Sequence, residues 1–212
     1  MTSIAVIDYG MGNLRSVSKA LEHVAPGARV QVTSDPEVVR QAERVVFPGQ
    51  GAMPDCMREM DARGLRPAVL EAARAKPFLG ICIGLQMLFE RSEEGDTPGL
   101  GVFPGQVKRF PPQAMRDAQG AKLKVPHMGW NEVMQVRPHA LWRGIADASR
   151  YYFVHSYYID AAKPELVAGQ SVYGFLFTCA VAQDNIFAVQ FHPEKSQSAG
   201  LALLANFVSW KP

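Results

Sequence analysis

An open α/β sheet, mainly parallel and carrying an antiparallel extension, is the fold this sequence predicts, and three observations predict it. Over the first half of the chain, short apolar runs alternate with stretches of helical periodicity, the pattern of parallel strands joined by right-handed crossovers. From about Gly95 onward the texture changes to glycines, prolines and short alternating runs, as in antiparallel strands joined by turns. The 212 residues, 48% hydrophobic and 20% charged, suffice for one ordinary domain with a full core. No linker, repeat or low-complexity segment interrupts them, so residues 1–212 read as a single domain.

The elements follow in order. Ser3–Asp8 reads as a buried strand, after which Leu14, Val17, Leu21 and Val24 recur at helical spacing. Arg29–Thr33 is a second strand. Ser34-Asp35-Pro36 is a helix start, a capping side chain before proline at the first helical position. Arg44–Phe47 is a third strand, ending in the loop Pro48-Gly49-Gln50-Gly51-Ala52. A helical stretch through Met57, Met60 and Leu65–Ala75 leads to a fourth strand, Phe78–Cys82, and an amphipathic helix is expected to continue from it as far as Glu90. Further short strands are expected at Gly105–Phe110, Leu123–Val125, Asn131–Val136, Tyr151–Tyr158, Phe175–Gln183 and Ile186–Phe191. Asp184-Asn185 reads as a tight hairpin turn. The tail from Ser198 to Trp210 returns to helix, with Leu201, Leu204, Ala205 and Val208 on one face.

Several function classes are excluded early. A net charge of +2 is too small to point to nucleic acid or an anionic membrane. No window reaches the roughly 18 apolar residues of a membrane span, and the N-terminus lacks the basic and apolar regions of a signal peptide. Cys56, Cys82 and Cys179 are an odd, sparse set without CxxC, which suits neither a disulfide framework nor a zinc site and implies a reducing, cytoplasmic location. His23, His127, His139 and His155 form no metal-binding spacing, so no metal and no cofactor are expected. Gly10 and Gly12 follow a strand, but Arg15 stands where a dinucleotide fingerprint needs its third glycine, leaving a tight turn as the better reading.

The chemistry centres on Gly80-Ile81-Cys82-Ile83-Gly84. Gly-x-Cys-x-Gly is the cysteine version of the nucleophile elbow, a sharp strand-to-helix turn that crowds any larger flanking side chain. The alternative is a buried structural cysteine. Gln190-Phe191-His192-Pro193-Glu194-Lys195 is the second feature. Side chains two apart on an extended segment share a face, and Pro193 favours extended geometry at His192. His192 and Glu194 thus meet, one orienting the other, against the alternative of a surface pair. A thiol, a histidine base and an orienting carboxylate are the roles acyl transfer needs. The glycines of Pro48–Ala52 can turn amides toward a pocket and, with the amide of Ile83, form an oxyanion hole; a plain glycine turn is the alternative. Gln86, one helical turn past Cys82, faces the same side, to bind a polar substrate or merely meet solvent. Glu90 and Glu94 are more often surface than site. Pro126–Asn131 and Tyr151–Tyr157 mix aromatic and polar residues, suiting a pocket wall, an interface rim or a core strand.

The elbow together with His192-Pro193-Glu194 resembles the class I (triad) glutamine amidotransferases. Within that class, Ile7–Leu14, Phe47–Gly51, Pro126–Asn131, Tyr152–Tyr157 and Gln190–Ser196 resemble the glutaminase subunits of imidazole glycerol phosphate synthases, over essentially the whole chain. One departure is Gln50, where the family leads us to expect a small apolar residue. The resemblance implies a doubly wound sheet hydrolysing L-glutamine to glutamate and ammonia, with Cys82, His192 and Glu194 as the triad. It implies an oxyanion hole from the backbone of Gly49, Gln50, Gly51 and Ile83, and glutamine contacts from Gln86, Glu94, His155, Ser156 and Tyr157. Ammonia would pass to a (β/α)8-barrel cyclase subunit in a heterodimer, faced by Trp130, Asn131 and Lys195, and the chain alone would have little activity. The rival expectations are a glutaminase serving another synthase, and a non-catalytic interaction module on this fold.

Overall fold

Continuous apolar runs become strands covered on both faces. The computed structural model describes residues 2–212 and opens with β1 (Ser3–Ile7), α1 (Leu14–Val24), β2 (Arg29–Thr33), α2 (Pro36–Gln41) and β3 (Arg44–Gly49). Then come α3 (Met53–Ala62), α4 (Arg66–Ala75), β4 (Phe78–Cys82) and α5 (Ile83–Met87). Every residue of β3 and β4 is buried, as parallel strands flanked by helices require. Asp35 caps α2 by accepting from the Glu37 amide at 2.8 Å, with Pro36 at the first position. α3 has no cap of its own; Glu94 Oε2 reaches across to accept from its Met53 amide at 2.8 Å.

The second half supplies β5 (Phe89–Ser92), β6 (Thr97–Pro98), β7 (Phe103–Arg109), β8 (His127–Gln135) and β9 (Ser149–His155). It continues with β10 (Tyr157–Ala161), β11 (Val167–Tyr173), β12 (Phe175–Gln183), β13 (Ile186–Val189) and α6 (Gln197–Ser209). The main sheet runs β2-β1-β3-β4-β13-β12-β10-β7-β5-β6, and β11 leaves β12 to pair with β8, which pairs with β9. The first five strands of that order are parallel; β12, β10 and β7 each run antiparallel to the strand before. The steps β1 to β2 and β2 to β3 cross the sheet in opposite directions, so right-handed connections place α1 and α2 on opposite faces. α1 packs beside α6 and α2 beside α4. The result is the doubly wound, mainly parallel sheet with an antiparallel extension. Among the described residues, no helix is long and apolar enough to cross a membrane.

Four departures from the sequence reading have tertiary causes. The helix after Cys82 ends at Met87 rather than Glu90, because fully buried Phe89 packs on Phe103 at 5.6 Å and its strand pairs with β7. Glu90 therefore leaves the helix, and its Oε2 accepts from the Gly105 amide at 2.9 Å. Tyr151–Tyr158 is two strands broken at Ser156, since β9 pairs with β8 while β10 pairs with β7 and β12. Leu123–Val125 forms no strand: the excursion holding it makes only an isolated bridge between Arg116 and Lys122. In α6 the buried face is Gly200, Leu203, Leu204 and Phe207, with Leu201 and Val208 only half-buried. β5, β6 and β11 have no counterpart among the expected strands.

Candidate active site

Cys82 ends β4 with φ +57°, ψ −112°, a conformation that costs an L-residue energy and persists only where its surroundings enforce it. The enforcement comes from backbone approach. A Cβ on Gly84 would stand 2.9 Å from the Phe47 carbonyl carbon and closer still to its oxygen, so α5 lies against β3 only because residue 84 has no side chain. A Cβ on Gly49 would collide with the Tyr9 hydroxyl and stand 2.9 Å from Ile83 Cβ. Pairing of β3 with β4 sets Gly49 directly beside Cys82, and pairing of β4 with β13 sets Val189 beside Ile81. The carboxyl ends of these strands thus gather the glycine loop, the thiol and the segment carrying His192, the usual place for a site in an open α/β sheet.

His192 and Glu194 meet as expected, by a different geometry. His192 is extended, but Pro193–Lys195 is a single 3-10 turn that swings Glu194 round to it. His192 donates from Nδ1 to Glu194 Oε1 at 2.8 Å, with their side chains 2% and 1% exposed. The backbone is pinned on both sides: the His192 amide donates to the Tyr152 carbonyl at 2.9 Å. Ser196 Oγ donates to the His192 carbonyl at 2.6 Å while accepting from the Tyr152 amide at 3.0 Å. With Nδ1 committed, Nε2 is the nitrogen left over, buried and without a hydrogen-bond partner. Burial presses the His192 pKa down, and the negative charges of Cys82 sulfur and the Glu194 carboxylate reverse this, holding it well above the usual imidazole range.

Cys82 and His192 line one cavity of about 450 Å³ with Gln50, Gly51, Ile83, Gln86, Glu94, His155, Ser156, Tyr157 and Lys195. Gly49 sits behind the loop and Glu194 behind His192. Trp130 and Asn131 lie elsewhere, in a groove of about 510 Å³ with Met128 and Val172. Tyr152 joins the two places: its ring stands 6.2 Å from that of Trp130, with Lys195 Nζ 6.0 Å above it.

Individual side chains are more constrained than the sequence reading allows. His155 has no ring nitrogen to spare, because Nδ1 bonds the Tyr157 carbonyl at 2.7 Å and Nε2 meets His127 Nδ1 at 3.0 Å. The Tyr157 carbonyl must accept, so His155 carries its proton on Nδ1 and His127 donates to its Nε2. Burial pushes both imidazoles down, to about 3 for His155 and about 4 for His127, and both are neutral. Gln86 donates through Nε2 to Gln190 Oε1 at 2.9 Å, leaving its buried Oε1 without a partner.

Sequence reasoning missed residues that act from behind. Gln190 is fully buried with its Nε2 at 3.7 Å from Cys82 Sγ; its place two residues before His192 was the only signal. Tyr9 donates to the Pro48 carbonyl at 2.8 Å and Cys56 Sγ to the Gln50 carbonyl at 3.3 Å, fastening the glycine loop from inside. Burial holds the Tyr9 hydroxyl well above its usual pKa and the Cys56 thiol at about 12, so both stay protonated donors. No spacing connects Tyr9 or Cys56 to the loop in the sequence.

Comparison with known proteins supplies three findings. The family model described as glutamine amidotransferase class-I matches residues 5–210. A protein of Nitrosospira multiformis named imidazole glycerol phosphate synthase subunit HisH is 70% identical over 212 residues, covering 100% of both chains. One of the same name from Dechloromonas aromatica is 71% identical over 210 residues, covering 99% of this chain and 97% of its own. Among solved structures, PurLQS from Thermotoga maritima superposes with a TM-score of 0.71 at 17% identity, covering 98% of each chain. A glutamine amidotransferase from the same organism gives 0.60 at 17% identity, over 91% of this chain and 76% of that one. These structural likenesses speak for the fold.

Proposed function

The chain belongs to the class-I glutamine amidotransferase family, and we propose from that premise that it is the glutaminase subunit of an imidazole glycerol phosphate synthase. The observation carrying the reading is a strained cysteine facing, in one cavity, a histidine whose far nitrogen is held by a buried carboxylate. The relatives at 70% and 71% identity bear that subunit's name, which selects this synthase over others of the class.

His192 Nε2 accepts the proton of Cys82, and the thiolate attacks the side-chain amide carbon of L-glutamine. Negative charge gathers on the amide oxygen, where the Ile83 amide and those of Gln50 and Gly51, which line the cavity, donate to it. His192 then gives its proton to the departing nitrogen, ammonia leaves, and a thioester joins the glutamyl group to Cys82. A water molecule, deprotonated by His192, attacks the thioester, releasing glutamate and the free thiol. Glu194 holds the imidazole with Nε2 toward sulfur and offsets its charge in both protonated stages. Gln86, Glu94, Ser156 and Tyr157 receive the amino-acid end of the substrate. The partner is a (β/α)8-barrel cyclase that uses the ammonia, docked over Trp130, Asn131 and Lys195. Three unpaired thiols suit the cytoplasm.

The test is ammonia production by the complex assembled with a barrel cyclase. Cys82→Ala should lower it by about 10⁴-fold or more, as nucleophile loss does in acyl-transfer enzymes. Turnover near the unmodified rate would end the assignment.

A further inference from the structure

Behind Cys82 and Gln86 lies a side chain to which the mechanism above gives no part. Gln190 is fully buried just past β13, its own amide donating to the Cys179 carbonyl at 2.8 Å. Its side chain has two ends in use. Oε1 accepts from Gln86 Nε2 at 2.9 Å, and Nε2 points at Cys82 Sγ across 3.7 Å.

The valences of an amide make both contacts consequential. With Gln86 Nε2 committed to Gln190, the Gln86 carboxamide is held with its Oε1 as the acceptor left over, on a residue that lines the cavity. That oxygen is buried and unpartnered, a state that costs free energy until a donor arrives. The donor matching a lone neutral acceptor at the amino-acid end of a glutamine pocket is the substrate's α-ammonium group. At the other end, Gln190 Nε2 can only donate, and a sulfur accepts better as thiolate than as thiol. The three groups form one chain, and donation to Gln86 Oε1 polarises each bond after it toward the sulfur.

We propose that Gln190 is a catalytic residue of this reaction, donating to the Cys82 sulfur while it fixes Gln86 as the acceptor for the substrate's amino group. The inference rests on the glutaminase reading and adds that arrival of the amino group at Gln86 strengthens support for the thiolate. Glutamine is the side chain the position needs: glutamate keeps the acceptor for Gln86 and loses the donor at sulfur, and methionine loses both.

That difference is the experiment. The full chain, assembled with a barrel cyclase, is treated at pH 8 with a diazoketone analogue of L-glutamine, Cys82 modification is followed by mass spectrometry, and kinact and KI are separated. Thermal unfolding of each variant checks its fold. Q190E should lower kinact about tenfold or more, the scale of one hydrogen bond to a charged group, with KI within about twofold of the native value. Q190M should lower kinact similarly and also raise KI about tenfold. A folded Q190E with native kinact, or a folded Q190M with native KI, overturns the proposal. A native complex that is not modified at Cys82, or that L-glutamine fails to protect, overturns the glutaminase reading itself.

Discussion

Gly84→Ala tests the packing that makes the elbow. The new Cβ would stand 2.9 Å from the Phe47 carbonyl carbon, where ordinary contact begins at 3.4 Å, and the carbonyl oxygen is nearer still. α5 and β3 would have to part by more than about 1 Å in an interior packed at crystal density. Neither side yields easily: Phe47 is fully buried in a strand between β1 and β4, and α5 is only five residues long. Overpacking against backbone belongs at the upper end of its range, about 3 kcal/mol or more. For a chain of this size, that lowers the Tm by roughly 6–12 °C. The same parting moves Cys82 away from the glycine loop and His192, and a misplacement of about 1 Å costs on the order of 10² in rate. The assay pairs thermal unfolding with the rate of Cys82 modification by the glutamine analogue. Gly27→Ala is the control, since nothing lies within 4 Å of its added carbon and its φ is not positive. If Gly84→Ala melts within about 2 °C of the native protein, well inside the expected shift, and reacts at the native rate, the steric account of the elbow is wrong.

Other consequences are open to measurement. Glu194→Gln removes a negative charge that favours the imidazolium, so the titration midpoint of His192, followed by NMR, should fall. Cys82 modification should slow by roughly tenfold or more as a charge-assisted bond becomes a neutral one; an unmoved midpoint would contradict the pairing. Acid should destabilise the fold through His127, His139 and His155, whose pKa values burial lowers to about 4, 4 and 3. The unfolded chain takes up these protons near pH 6.5 and the folded one does not, so stability is present above that pH and lost as pH falls toward 4. His155 alone would account for about 2 kcal/mol by pH 5, and equal urea midpoints at pH 7 and 5 would refute this. Trp130→Ala should weaken binding to the barrel cyclase about tenfold, as losing an aromatic anchor does. Calorimetry showing an unchanged Kd would take that residue out of the interface.

Much of the parallel half was legible because its signals are local. Ile4–Ile7 and Phe78–Cys82 read as continuous apolar runs, and both are buried on two faces. Asp35-Pro36 is a cap that needs only its own helix. The glycine at 84 also spoke for itself, since the turn excludes a larger residue, although the obstacle it avoids, the Phe47 carbonyl, lies far off in the chain. The antiparallel half was harder. Nothing near Ser156 marks it as the place where one apparent strand becomes two with different neighbours, and Phe89 leaves its helix to answer β7 and Phe103.

The candidate site divides along the same line. Cys82, His192 and Glu194 could be named from motif chemistry, because each role demands a residue type with a short-range geometric requirement. The sequence by itself determined the candidate nucleophile, its candidate base and the alternation that makes a parallel sheet, since steric limits and periodicity act between residues near in the chain. Tertiary structure alone decided what stands behind them. Gln190 reaches Gln86 across 104 residues and Cys82 across 108. His127 finds His155 through the pairing of β8 with β9, and Tyr9 and Cys56 take hold of the glycine loop only once β1, β3 and α3 are packed. Those partnerships follow from strand order and register, which the summed burial of the whole core selects, and no local stretch encodes them.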